Sequence, residues 1–213
     1  MESREVKFYA PMNNKIALKV IPGHFATSYS HINYYIDMTS IKTRQNEAAE
    51  VAKTLAQNFN NDVIIDTIVC MDGCEVIGGF LAWELSNAGI LSMNDHKTIY
   101  IISPEYNSNG QMIFRENNQP AILGKHILLL VASVTTGSTV SKSLECIQYY
   151  GGRTQGIAAI FSVIDKIDGV RIDTIFKEKD IPGYKNYNIT DCPFCKSGQK
   201  VEAIVNGYGY VKL

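Results

Sequence analysis

Two rhythms of apolar residues alternate along the chain. Short, nearly continuous apolar runs predict strands buried on both faces: "DVIIDTIV" (Asp62–Val69), "TIYII" (Thr98–Ile102), "ILLLV" (Ile127–Val131), "GIAAIFSVI" and "GVRIDTIF". Between them, apolar positions recur at helical spacing. Ala48, Val51, Leu55 and Phe59 predict a helix capped by Thr43, and a second is expected from Glu75 to Asn87 with Gly89 as its stop. Ser138 is expected to cap a third, with Val140, Leu144 and Ile147 inward and Gly151-Gly152 ending it. Residues 1–40 are rich in Tyr, Ser and Asn and close on the β-like "NYYIDM". "SPEYNSNGQMIFRENNQP" is a long connection, of a kind usually functional or mobile in a compact domain.

Strand–helix alternation of this sort implies an α/β fold with a mainly parallel central sheet flanked by helices. Ligands on such sheets bind beyond the carboxyl ends of the strands. Two unusual turns fall there, "CMDGC" and "ASVTTGST". The length of 213 residues suits one such domain. A net charge of −1 gives no electrostatic footprint for nucleic acid or an anionic membrane. No apolar run approaches the ~18 residues of a membrane span, and the start lacks a secretory signal core. Five cysteines do not suggest a disulfide framework, so a reducing cytoplasm is expected.

The second turn carries chemistry. Gly137 permits positive φ and close backbone approach to a ligand. Thr135, Thr136, Ser138 and Thr139 offer hydroxyls, and the following helix offers unpaired N–H groups and its positive dipole end. Together they make a neutral cradle for one phosphate. The plain alternative is a helix-capping turn. It is not a P-loop, because no GKS or GKT is present.

The stretch resembles the phosphoribosyl-pyrophosphate (PRPP) signature of type I phosphoribosyltransferases: an apolar strand, two acidic residues, an apolar residue, then T-T/A-G-x-T. Val134, Thr135, Thr136, Gly137 and Thr139 match it. "HINYYIDM", "DVIIDTIVCMDGCEVIGGFLA" and "DCPFCKSGQKVEAI" resemble, in order, three segments of the orotate phosphoribosyltransferases. The resemblance implies a type I phosphoribosyltransferase fold with an N-terminal hood. It implies transfer of phosphoribosyl from PRPP to orotate with Mg²⁺, and a homodimer. It places the 5′-phosphate at Thr135, Thr136, Gly137, Ser138 and Thr139. The pyrophosphate falls at Met71, Asp72 and Gly73, and the base at Tyr34, Tyr35, Ile36 and Asp37.

The chain departs from that pattern where charge is needed. Ala132 and Ser133 stand at the two acidic positions that hold the ribose hydroxyls in the family. Two lost charge-assisted hydrogen bonds amount to ~3–5 kcal/mol of affinity. The family's loop Arg, Lys and His are missing from "IISPEYNSNGQMIFR", where Arg115 is the sole cation and an ordinary surface residue on the plain reading. Asp72 adds negative charge to the pyrophosphate turn, although Asp-Gly is also simple turn chemistry. "HFATSYSHIN" lacks the family's lysine, and His24 and His31 are the available partial substitutes. Tyr34 and Tyr35 either stack on a planar base or pack as strand aromatics. A non-catalytic nucleotide or phosphosugar sensor on the same fold is therefore the rival reading.

"CPFC" supplies Cys192 and Cys195 at the spacing of half a zinc site, and a structural zinc needs four ligands. Cys70 and Cys74 are the candidates to complete it, within one chain or across a dimer. A tight turn with two thiols needs no metal, so little or no bound zinc is expected.

Overall fold

The computed structural model describes residues 2–59 and 63–213. Along the chain run β1 (Val6–Ala10), β2 (Asn13–Ala26), β3 (His31–Asp37), α1 (Thr39–Thr43), α2 (Gln45–Ala56), β4 (Thr67–Cys70) and α3 (Glu75–Ser86). There follow β5 (Tyr100–Ile102), β6 (Glu105–Tyr106), β7 (Met112–Ile113), β8 (His126–Val134), α4 (Ser138–Tyr149) and β9 (Arg153–Ser162). The last are β10 (Lys166–Ile167), β11 (Val170–Lys177), β12 (Asn186–Tyr187), α5 (Pro193–Lys196), β13 (Ala203–Asn206) and β14 (Gly209–Lys212).

The central sheet has the order β10-β11-β9-β8-β4-β5, parallel throughout except for β10. β4, β8 and β9 are apolar on both sides because both sides are covered; β5, expected to be buried likewise, is an edge strand with Tyr100 and Ile101 exposed. Leu128, Leu130 and Ala132 of β8 join a core with α2 and α3, whereas Leu129 and Val131 join one with Val140 and Ile147 of α4. The period-2 alternation of a strand thus feeds two separate cores.

A second sheet, β12-β3-β2-β13-β14 with β1 on β2, forms the hood. It is built from both ends of the chain. β13 lies parallel to β2, pairing Ala203 with Phe25.

Three further local expectations need correction. The helix predicted from Thr43 begins at Gln45, after Arg44, whose extended backbone at φ −91° and ψ 121° separates it from a short helix, α1, that the sequence pattern did not predict. Thr43 does not cap: its hydroxyl donates back to the Thr39 carbonyl at 2.7 Å, the i−4 bond that competes with capping. The strand predicted over Asp62–Val69 pairs only from Thr67, and Asp62 lies outside the described residues. The buried Asn94 side chain supplies the missing partners, accepting from Ile65 N–H at 2.8 Å and donating to Val63 C=O at 2.7 Å. Finally, Gly137 rather than Ser138 is the N-cap of α4, in the left-handed region at φ 79°.

Candidate functional site

β4 and β8 are adjacent parallel strands, so their turns open side by side beneath the hood. The Thr135–Thr139 turn lines the resulting cavity. Its first helical hydrogen bond, Ser141 N–H to Gly137 C=O, is 2.8 Å. The amides before it lie at a helix N-terminus, where donors lack intrahelical partners and the dipole favours an anion. A β-carbon on Gly137 would meet only the flexible tip of Ile167, at 2.5 Å, so it is the positive φ that selects glycine there.

Ala132 and Ser133 also line the cavity, the first buried and the second half-buried. Tyr29 closes one side. Its hydroxyl receives the Lys142 ammonium at 3.1 Å, and that bond, helped by Ser138, lowers the phenol's pKa.

On the hood side, Tyr35 and Ile36 line the cavity, while Tyr34 and Asp37 do not. Tyr35 is buried edge-on against Tyr210 with ring centroids 5.3 Å apart, which makes it a packing aromatic at one wall. The Asp37 carboxylate accepts from Thr39 N–H at 2.9 Å and so starts α1.

The β4 turn is held differently. Met71 is buried, and Asp72 takes the left-handed conformation at φ 56°. The Asp72 carboxyl presses on Gly207 of the β13–β14 turn: a β-carbon there would lie 2.3 Å from Asp72 Cγ. Burial pushes the Asp72 pKa up, partly offset by Lys42 and by the Ala132 backbone.

Lys42 is the residue sequence reasoning missed. It is only 6% exposed, and its ammonium donates to Asp72 C=O at 2.7 Å and to Gly207 C=O. Lys42 thereby joins α1, the β4 turn and the C-terminal hairpin at one point. Its partners lie 30 and 165 positions away, so no local pattern announces them.

Arg115 points elsewhere. It pairs with Glu105 at 2.8 Å, on the exposed β6–β7 hairpin that occupies the long connection, and does not line the cavity. His24 and His31 do not line it either. They meet Cys192 and Cys195 instead, which corrects both their expected role and the expected partners of the cysteine pair. Cys70 and Cys74 are buried in the core between β4 and α3. All five cysteines are free. Among the described residues, no helix is long and apolar enough to cross a membrane.

A parallel sheet in this order, with the Thr135–Thr139 turn after β8 and a hood over it, matches known proteins. Leishmania donovani UMP synthase superposes with a TM-score of 0.55 at 17% identity, over 84% of this chain and 36% of that one. The orotate phosphoribosyltransferase of Aeropyrum pernix gives 0.53 at 18% identity, over 75% and 88% of the two chains. The fold is that of the type I phosphoribosyltransferases. Sequence relatives narrow this. The orotate phosphoribosyltransferase of Caldanaerobacter subterraneus subsp. tengcongensis is 27% identical over 180 residues, 83% of this chain and 85% of the relative. That of Wolinella succinogenes is 26% identical over 201 residues, 87% and 91% of the two chains. No family model matches. In sequence the chain is similar to the orotate phosphoribosyltransferases.

Proposed function

We propose that the protein binds a small 5′-phosphorylated ligand, a nucleoside monophosphate or a phosphoribose, and transfers phosphoribosyl groups far more slowly than an intact transferase. The phosphate enters the Thr135–Thr139 turn. One observation supports this reading: that turn shares its cavity with Ala132 and Ser133, so no carboxylate stands beside it where the family holds the ribose. Among the described residues, Asp72 is the one carboxylate lining the cavity, and it lies on the other turn.

Mg²⁺ fits this cavity poorly by itself. It needs several oxygen donors, and the lone Asp72 carboxyl is pressed against Gly207. The ion would enter with a diphosphate that brings most of those oxygens, and it would neutralise charge there.

Lys42 favours a second reading, transfer from PRPP to orotate with Mg²⁺. Its ammonium is a cation beside the pyrophosphate turn. A homodimer, as the resemblance implies, belongs to both readings. Val76 and Trp83 of α3, and Ile101 of the edge strand β5 on which α3 packs, are exposed apolar residues that such a contact would cover. Sedimentation of wild type against Trp83→Glu tests it: a dimer that Trp83→Glu leaves intact does not use these residues.

Calorimetric titration with inorganic phosphate, nucleoside monophosphates and PRPP separates the two functions. Monophosphates are expected to bind, PRPP to gain little over them, and Thr135→Val with Thr139→Val to weaken all. Orotate consumption at the rate of an intact enzyme would sink the proposal. Ala132→Asp with Ser133→Asp should tighten PRPP tenfold or more, given ~1.5–3 kcal/mol per charge-assisted bond, while turnover stays low.

A further inference from the structure

We infer that His24, His31, Cys192 and Cys195 form a structural zinc site that staples the C-terminal tail to the hood. Their donor atoms all lie within 4.8 Å of one another. His24 Nε2 is 3.0 Å from His31 Nδ1, 3.5 Å from Cys192 Sγ and 3.7 Å from Cys195 Sγ. Cys195 Sγ is 3.3 Å from His31 Nδ1. Zinc bonds of ~2.0–2.1 Å to nitrogen and ~2.3 Å to sulfur, arranged tetrahedrally, separate the donors by roughly 3.3–3.8 Å. The cluster thus already has nearly the dimensions of the coordination shell.

Each ligand is aimed by its own element. His24 lies where the β2–β3 register shifts between Pro22 and Phe25, and such a bulge re-aims a side chain. His31 opens β3 across the ladder. Cys192 caps α5 and Cys195 follows three residues on, so one turn of helix presents both sulfurs together.

The outer shell completes the case. His24 Nδ1 is 2.9 Å from the Gln199 carbonyl, which can only accept, so the proton sits on Nδ1 and Nε2 turns its lone pair to the cluster. Phe194 packs on the His24 ring at 5.2 Å, with Tyr187 edge-on behind it. His24 and Cys192 are wholly buried. Two imidazoles and two thiolates suit zinc and not a hard, oxygen-seeking ion, and four protein ligands leave no open position for a substrate.

The site bears on the cavity at a distance. Beyond Cys195, Glu202 N–H bonds to His24 C=O at 2.8 Å and Ala203 pairs with Phe25. Four residues later comes Gly207, the carbonyl that Lys42 holds. Anchoring the tail therefore positions the hairpin that forms one wall.

Metal analysis of the full-length protein, purified with zinc and desalted, should give about one zinc per chain. The cobalt(II)-loaded protein should show tetrahedral d–d absorption and thiolate-to-cobalt charge transfer. Cys195→Ser should lose the charge-transfer intensity and most of the metal, whereas Cys146→Ala should keep both. A chelator should lower the melting temperature of wild type but not of Cys195→Ser. Folded wild type that takes up neither zinc nor cobalt would overturn the inference. So would a Cys192–Cys195 disulfide found by thiol counting, or full metal retention in Cys195→Ser.

Discussion

The turns after β4 and β8 occupy equivalent places in the sheet, yet they present opposite chemistry. Each follows a parallel strand and leads into a helix whose first amides lack intrahelical partners. The Thr135–Thr139 turn, rich in hydroxyl side chains, lines the cavity. The Met71–Cys74 turn is engaged from within the chain: Lys42 holds its Asp72 carbonyl, and the Asp72 carboxyl rests on Gly207. A helix N-terminus is thus only potential anion-binding capacity. Whether it is open to a ligand depends on what the rest of the chain has already placed there.

The largest way to break this contrast is to release the second turn. Lys42→Met removes an ammonium shared by two carbonyls from segments far apart in sequence. A charge-assisted hydrogen bond is worth ~1.5–3 kcal/mol, and a loss of that size is expected in denaturant unfolding. An unchanged unfolding midpoint would mean that Lys42 does not tie the turn to the hairpin.

Gly137→Val attacks the open turn. Holding a β-branched residue at φ 79° costs ~1–2 kcal/mol, and the clash falls on the flexible tip of Ile167. Phosphate affinity should fall at least tenfold, since the amides lose their aim. Stability lost with phosphate affinity intact would separate the cap from the cradle.

The contrast also presumes that β4 and β8 stay in register, and Asp66 secures that at their far ends. Its carboxylate accepts from His126 N–H at 2.9 Å and from the ring Nδ1 at 2.7 Å, with Lys97 nearby. Burial raises its pKa, but the His126 backbone and ring together with Lys97 outweigh that and hold it below the usual range. A depressed carboxylate adds stability above its unfolded pKa and loses it as pH falls through the folded value. Asp66→Asn should therefore be about 1 kcal/mol less stable at neutral pH, with the gap closing as pH drops below about 4. A gap independent of pH would refute this.

A smaller effect is expected from Asp72→Asn, which removes negative charge beside the cavity. Pyrophosphate should bind roughly threefold tighter, the scale of a partly screened charge, while monophosphate binding at Thr135–Thr139 changes less. Equal gains at both would mean the two turns are not electrostatically distinct. The smallest effect belongs to Arg115→Ala. Its pairing with Glu105 on an exposed hairpin predicts unchanged phosphate and pyrophosphate affinity, and a tenfold loss of either would restore Arg115 to the site.

What the sequence alone determined follows from interactions that close within a few residues. The apolar runs of β4, β8 and β9 became parallel strands buried on both sides, whereas the run that became β5 lies at the sheet edge with Tyr100 and Ile101 exposed. Gly137 specified a left-handed turn into α4, because φ and helix-end hydrogen bonds are local quantities. Even so, local reading placed the caps wrongly at Thr43 and Ser138, and it missed the Arg44 break that lets α1 carry Lys42 inward.

Only the tertiary structure decided which distant groups share a space. Lys42 meets Gly207 because the C-terminal hairpin joins the hood. Cys192 meets His24 across 168 positions because the same pairing of β13 with β2 returns the tail to the N-terminal sheet. "CPFC" could declare two ligands by its spacing. The other two were set by strand register, which depends on burial across the whole sheet and on no short stretch of residues.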